Sequence, residues 1–205
     1  MGLRNLDISL GMSDSGSLSF LDVCQGRYLS ADMPRHHRYP NLSFLTAPMN
    51  CPVESIDIDS FSRFLWEQRP LFDYIFLDAP AGVDAGFRLV SAAADRFLLV
   101  TGAGPAAIRD AARVGELLEL AGKKQVRLVV NRVSKSLLGT LRMTIDDVMD
   151  SAGLPLLGIV LEDPNVTLAA AFGKSIHEHA PRCDAAKAFR RIAKRLQGNY
   201  VPITL

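Results

Sequence analysis

The chain has 205 residues, 48% hydrophobic and 22% charged, with 23 basic against 22 acidic side chains. These proportions suit one folded domain with a sizeable core and exclude a disordered chain, and the near-neutral field argues against nucleic-acid binding by bulk charge. No apolar stretch reaches the roughly 18 residues a spanning helix needs, and no signal-like hydrophobic region follows Met1, so a cytoplasmic protein is expected.

Taken in order, residues 1–31 are rich in Gly and Ser around a short apolar stretch, Leu18 to Val23. Arg35 to Pro40 reads as a basic loop with His36 and His37 at the surface, and Leu42 to Ala47 alternates well enough for a strand. Asp57 and Asp59 offer N-caps for a helix whose apolar face is Phe61, Phe64 and Leu65, with Trp66 as a further candidate for that face and Pro70 as its stop. Phe72 to Asp78 is then an apolar run ending in an aspartate. It reads as a buried parallel strand with a carboxylate at its C-terminal edge, where open α/β sheets bind ligands.

A small-residue helix around Phe87 to Ala94 leads to a strand at Arg96 to Thr101. Pro105 opens the next helix and Gly122 closes it, with Ile108, Ala111, Ala112, Gly115 and Leu118 on its apolar face. Val126 to Asn131 is a strand ending on a polar residue, and Val133 to Arg142 lacks periodicity and reads as a loop. Thr144 and Asp147 form a capping-box pair for a helix that ends at Gly153. Leu156 to Val160 is a strand, Asp163 and Pro164 begin a short helix, and Asp184 begins the last one. Cys24, Cys51 and Cys183 form no C-x-x-C arrangement, so neither a disulfide framework nor a zinc site is expected.

Strands alternating with helices through short connections predict an α/β fold in one domain, 1–205: a doubly wound, mostly parallel sheet with helices on both faces. Asp78 is the strongest candidate for a functional carboxylate, able to hold magnesium directly or through water beside a phosphate chain. The alternative is an aspartate that caps the following turn.

Gly2-Leu3-Arg4-Asn5-Leu6-Asp7, Asp78-Ala79-Pro80-Ala81-Gly82, Ile108-Arg109-Asp110, Asn131-Arg132-Val133 and Glu162-Asp163 with Val166 come in the order and approximate spacing of one family. The chain resembles the MinD/ParA deviant-Walker ATPases over nearly its whole length. The resemblance implies a P-loop NTPase fold and ATP with Mg2+ as ligands. It places Gly2, Asn5 and Asp7 in switch I, Asp78 as the Walker B carboxylate holding magnesium through water, and Gly82 in the switch II turn beside the γ-phosphate. Asn131, Arg132, Glu162 and Asp163 match the segments that hold adenine, and Arg109 and Asp110 a motif near the dimer face. It also implies ATP-driven homodimerisation, a regulatory partner protein of the division-site system, membrane binding, and no specific nucleic acid.

Three departures shape the expectations. No G-x-x-x-x-G-K-[ST] loop occurs in the 205 residues, and Gly11 to Ser17 has glycines without the lysine. Ala103-Gly104 stands where the family usually has Pro-Glu, and no separate amphipathic membrane helix follows the last domain helix. The expectations are that the family's first strand and phosphate loop are missing, that Met1 is an internal methionine, and that ATP binding is weak without hydrolysis. A catalytically inactive binding or dimerisation module and a ParA-like partitioning ATPase are the alternatives. Lys187, Arg190, Arg191, Lys194 and Arg195 fall on one face of the last helix, which is expected to dock its apolar face on the sheet and leave these cations solvated.

Overall fold

The computed structural model describes residues 6–13, 18–48 and 51–203. The chain divides into two compact units, Met1–Ala94 and Asp95–Leu205.

The first unit is built on helices: α1 (Leu6–Leu10), α2 (Phe20–Cys24), α3 (Ile58–Gln68) and α4 (Ala85–Ala93). Ser19 and Asp22 form a capping box at α2, and Asp57 caps α3 by accepting the Ser60 N–H at 2.8 Å. Phe61, Phe64 and Leu65 bury against Val23, Met33, Ile56 and Leu89, with Phe20 edge-on to Phe61 at 5.2 Å. Each such side chain taken from water contributes roughly 1.5–3 kcal/mol. Trp66 stays exposed on the opposite face of α3, under the Arg69 guanidinium at 4.9 Å.

Three expectations fail in this unit. Phe72 to Asp78 forms no strand and joins no sheet among the described residues, and Tyr74 and Phe76 are 52% and 74% exposed. An apolar pattern sets only a local preference for strand, whereas a ladder also needs a neighbour's N–H and C=O groups. For the same reason Leu42 to Ala47 makes only isolated bridges, Arg35 with Ser43 and Ser19 with Thr46. His36 is buried at 2% exposure: Nε2 lies 2.8 Å from the Leu10 carbonyl, and Nδ1 accepts the N–H groups of Arg38 and Tyr39. Both ring nitrogens are thus used, which is how an imidazole is buried without loss.

The second unit carries a parallel sheet of β1 (Phe97–Thr101), β2 (Val126–Val133) and β3 (Leu156–Leu161) in the order β1-β2-β3. Its helices are α5 (Pro105–Leu120), α6 (Lys135–Leu141), α7 (Ile145–Ala152), α8 (Pro164–Ala171), α9 (Ile176–His179) and α10 (Asp184–Leu196). Ile108, Ala111, Val148 and Ala152 pack on one sheet face with Leu128 and Val130. Ala185 and Ile192 pack on the other with Val129, Leu157 and Val160. The expected parallel sheet with helices on both faces is present. α6 corrects the loop expected over Val133 to Arg142, because a seven-residue helix is too short to display a period.

The pairing of Leu128 with Leu156 and of Val129 with Gly158 shows a register shift at Leu157. Gly158 therefore faces α10, and a Cβ there would lie 2.9 Å from Ile192 Cδ1, closer still to Cγ1, and 3.2 Å from Arg195 Nη1. Arg195 departs from the expected solvated row: its guanidinium donates to the carbonyls of Leu157 at 2.8 Å, Val201 at 2.9 Å and Pro202 at 2.6 Å. Desolvation, then the nearby Arg191 charge, pushes its pKa below the ordinary range.

Candidate functional site

In the first unit the predicted residues sit on backbone that leaves them open. Asp78 is exposed in the irregular segment before the bend at residues 81–84. Gly82 has φ +95°, a region L side chains rarely adopt, while a Cβ would meet nothing nearer than Asp84 Oδ2 at 4.0 Å. The position thus requires glycine for conformation and not for space. Gly86, not singled out from sequence, is the converse: a Cβ would fall 2.6 Å from Pro80 Cγ, so its bare Cα lets the Pro80 segment lie against α4. The available signal was a glycine in the first turn of a helix, where it costs stability unless packing needs it.

Asp7 lies in the first turn of α1, its Oδ1 accepting the Ile8 N–H at 2.9 Å. His36 holds the end of the same helix through the Leu10 carbonyl. Gly2 and Asn5 lie outside the described residues.

In the second unit β2 runs past Asn131 to Val133, and its pairing with β3 is irregular between Val130 and Val133. Arg132 there has φ +53°. A non-glycine residue in that region costs about 1–3 kcal/mol, and such strain collects at functional positions. The Asn131 Oδ1 accepts the Arg132 N–H at 2.9 Å and steadies this conformation. The consequence is that Arg132 Nη2 reaches Glu162 Oε1 at 3.3 Å. Both side chains are more than half exposed, so the pair adds at most about 1 kcal/mol of stability, and its effect is to orient the two groups.

Asp163 caps α8, accepting from Asn165 N at 2.9 Å and Asn165 Nδ2 at 2.8 Å. Hydrogen bonding from the Asn165 backbone holds its carboxyl below the usual range, against a smaller opposing effect of burial. The Cys183 Sγ accepts the Ala186 N–H at 3.4 Å at the start of α10, and burial foremost, with the Asp163 carboxylate adding to it, pushes that thiol up. Cys183 was not linked to Asp163 from sequence, because the two meet only through the return of the chain before α10. Arg109 and Asp110 are both exposed on α5, between the buried Ile108 and Ala111. Of the predicted base-holding residues, the fold therefore joins Asn131, Arg132 and Glu162 in one cluster, with Asp163 turned to capping.

The chain is 32% identical to the septum site-determining protein MinD of Synechocystis over 203 residues, covering 98% of this chain and 76% of that protein. The chain belongs to the MinD family. MinD of Bacillus subtilis is 32% identical over 207 residues, 99% of this chain and 77% of its own length. A MinD of Nephroselmis olivacea is 36% identical over 201 residues, 97% of this chain and 73% of its own length. No protein-family model matches the chain. Among solved structures, MinD in the MinC:MinD cell division complex of Aquifex aeolicus superposes with TM-score 0.90 at 30% identity, over 100% of this chain and 83% of that one. MinD of Pyrococcus horikoshii, complexed with Mg-ADP, shares the fold at TM-score 0.79 and 22% identity, over 95% of this chain and 79% of that one. The MinD fold of the solved neighbours is thus the fold of this chain, and its place is among the septum site-determining proteins.

Proposed function

We propose that this MinD-family chain is a nucleotide switch in division-site placement, the first unit contributing Asp78 and Gly82 as magnesium- and phosphate-binding residues and the second contributing Asn131, Arg132 and Glu162 as base-binding residues, the roles the family resemblance implies. The observation that carries the reading is the Arg132–Glu162 pair, which joins two sequence segments 30 residues apart at one point. The donor set fits the implied ligand in chemistry: magnesium keeps most of its waters and takes one or two carboxylates with phosphate oxygens, which an exposed aspartate at a glycine turn supplies. When bound, magnesium neutralises charge on the β- and γ-phosphates. Asp78 would hold a water of that ion, and Gly82 would let its backbone approach a phosphate oxygen. Glu162 and the Asn131 amide offer an acceptor and a donor to a base edge, and Arg132 orients Glu162.

ATP-dependent homodimerisation would use the α5 surface at Arg109 and Asp110, and the complex of the Aquifex aeolicus neighbour supports a regulatory protein as partner. Among the described residues no helix is long and apolar enough to cross a membrane, so any attachment by these helices would be peripheral.

The test is calorimetric titration of the 205-residue protein with ATP and Mg2+, alongside a phosphate-release assay. No phosphate-loop motif with its lysine lies in the sequence, so weak, millimolar binding without measurable turnover is expected. Asp78→Asn should remove the magnesium dependence of that binding, and Glu162→Gln should weaken it a few-fold. Micromolar ATP affinity untouched by either substitution would overturn these assignments.

A further inference from the structure

The buried imidazole of His36 lies outside the residues assigned to nucleotide, and it joins two separate stretches of the first unit. Its Nε2 is 2.8 Å from the Leu10 carbonyl at the end of α1, while its Nδ1 accepts the N–H groups of Arg38 at 3.0 Å and Tyr39 at 3.2 Å. This pattern fixes the proton. Nδ1 accepts only when it carries no hydrogen, so the ring is neutral and Nε2–H donates to Leu10. The adjacent ring is held in the same state: His37 Nε2 accepts the Arg38 Nε–H at 3.0 Å, and the two imidazoles stack with centroids 4.7 Å apart at 15°. Arg35 and Arg38 flank the pair in sequence, and the Tyr39 ring lies 4.6 Å from His36. From α1 comes one titratable group, Asp7, whose Oδ1 already accepts the Ile8 N–H. Among the described residues neither imidazole has a carboxylate partner.

We propose that neutral His36 docks α1 and that a proton taken up at its Nδ1 releases this helix. A hydrogen there would face two N–H donors at hydrogen-bonding distance. The imidazolium would also add charge to a loop that already holds Arg35 and Arg38, in a place where burial denies it water. The ring must then swing out, and the bond to Leu10 goes with it. α1 has five residues and buries none of them, too short to persist without docking, so its release is local. The packing of Phe61, Phe64 and Leu65 stays in place. Docking is complete where the imidazole is neutral and is lost as pH falls through the range in which imidazoles take up a proton. α1 carries Asp7, which the family resemblance places in switch I, so the proton becomes an effector of that segment. Only this last consequence rests on the nucleotide reading; the docking itself does not.

The experiment is hydrogen–deuterium exchange of the full chain without nucleotide, at about pH 8 and about pH 5, with labelling times scaled for the chemical exchange rate. The amides of Gly11 and Met12 are the reporters, since they close α1 by donating to the Ile8 and Asp7 carbonyls. They are expected to exchange about tenfold faster at the lower pH, the effect of losing roughly one hydrogen bond. The amides of α3 should not change, which keeps the comparison to folded protein. His36→Gln retains an amide donor for Leu10 but takes up no proton in this range, so α1 should stay protected at both pH values. In His36→Ala the reporters should exchange fast at both. Equal exchange of the reporters at the two pH values in the unsubstituted chain, or a pH response that survives in His36→Gln, would overturn the proposal. With no nucleotide present, that failure would leave the assignments of Asp78 and Glu162 untouched.

Discussion

Gly158→Ala is the sharpest test of how α10 is held. The new methyl would meet Ile192 Cδ1 at 2.9 Å and Arg195 Nη1 at 3.2 Å, against an ordinary contact distance of 3.4–4 Å. Ile192 is only 8% exposed, so its side chain cannot swing into solvent, and the helix must shift instead. Such overpacking costs about 1–3 kcal/mol. A shift also stretches the 2.8 Å bond from Arg195 to the Leu157 carbonyl, which puts the expected loss near the upper end, about 3 kcal/mol. Urea denaturation followed by circular dichroism measures it, with a lower midpoint and an unchanged m-value expected. Ile192→Ala alone leaves a cavity and costs about 2–5 kcal/mol. The double variant should be less destabilised than the sum of the two by about 1–2 kcal/mol, since the methyl then fills space that isoleucine vacated. A neutral or stabilising Gly158→Ala, or strict additivity in the cycle, would refute the close approach.

Acid stability follows from the caps. Hydrogen bonds from Ser19, Ser60, Thr144 and Asn165 hold the carboxyls of Asp22, Asp57, Asp147 and Asp163 below their ordinary 3.8. A lowered folded-state pKa means that the contribution is complete above the unfolded value and is lost as pH falls through the folded one, so the main loss should come below about pH 4. Urea midpoints measured from pH 7 to pH 3 check this, and Asp147→Asn should shrink the acid loss while lowering the midpoint at pH 7. Burial, then Arg190, holds His177 below its ordinary 6.5, so a separate, smaller decline should begin under about pH 6.5 and vanish in His177→Gln. Burial foremost raises the thiols of Cys24 and Cys183, so both should react with a disulfide reagent at pH 8 more slowly than in the urea-unfolded chain. Equal rates in the two states would contradict that.

Elements governed by neighbours in sequence were legible without a structure. Asp57 before α3, Pro105 and Gly122 around α5, the Thr144–Asp147 box and Asp163-Pro164 before α8 all act within one helical turn. Their hydrogen bonds are therefore encoded locally. The three paired strands were legible as apolar runs between such helices, and the motif order pointed to the family that the relatives later established. The site was legible as residue types only. The contact between Arg132 and Glu162 depends on a left-handed residue at an irregular strand pairing, which no periodicity announces.

Long-range partners decided the rest. Phe72 to Leu77 carries the pattern of a strand, yet pairing is a property of two segments, and only the fold shows that no described neighbour supplies the second. His36 looks like a surface residue in a basic loop until the Leu10 carbonyl arrives from 26 residues away to satisfy its ring. Arg195 belongs by spacing to a solvated row, but three carbonyls converge on its guanidinium and turn it inward. Sequence sets what each short stretch prefers and which groups need partners; the identity of a partner distant in the chain is settled only when packing brings it within hydrogen-bonding reach.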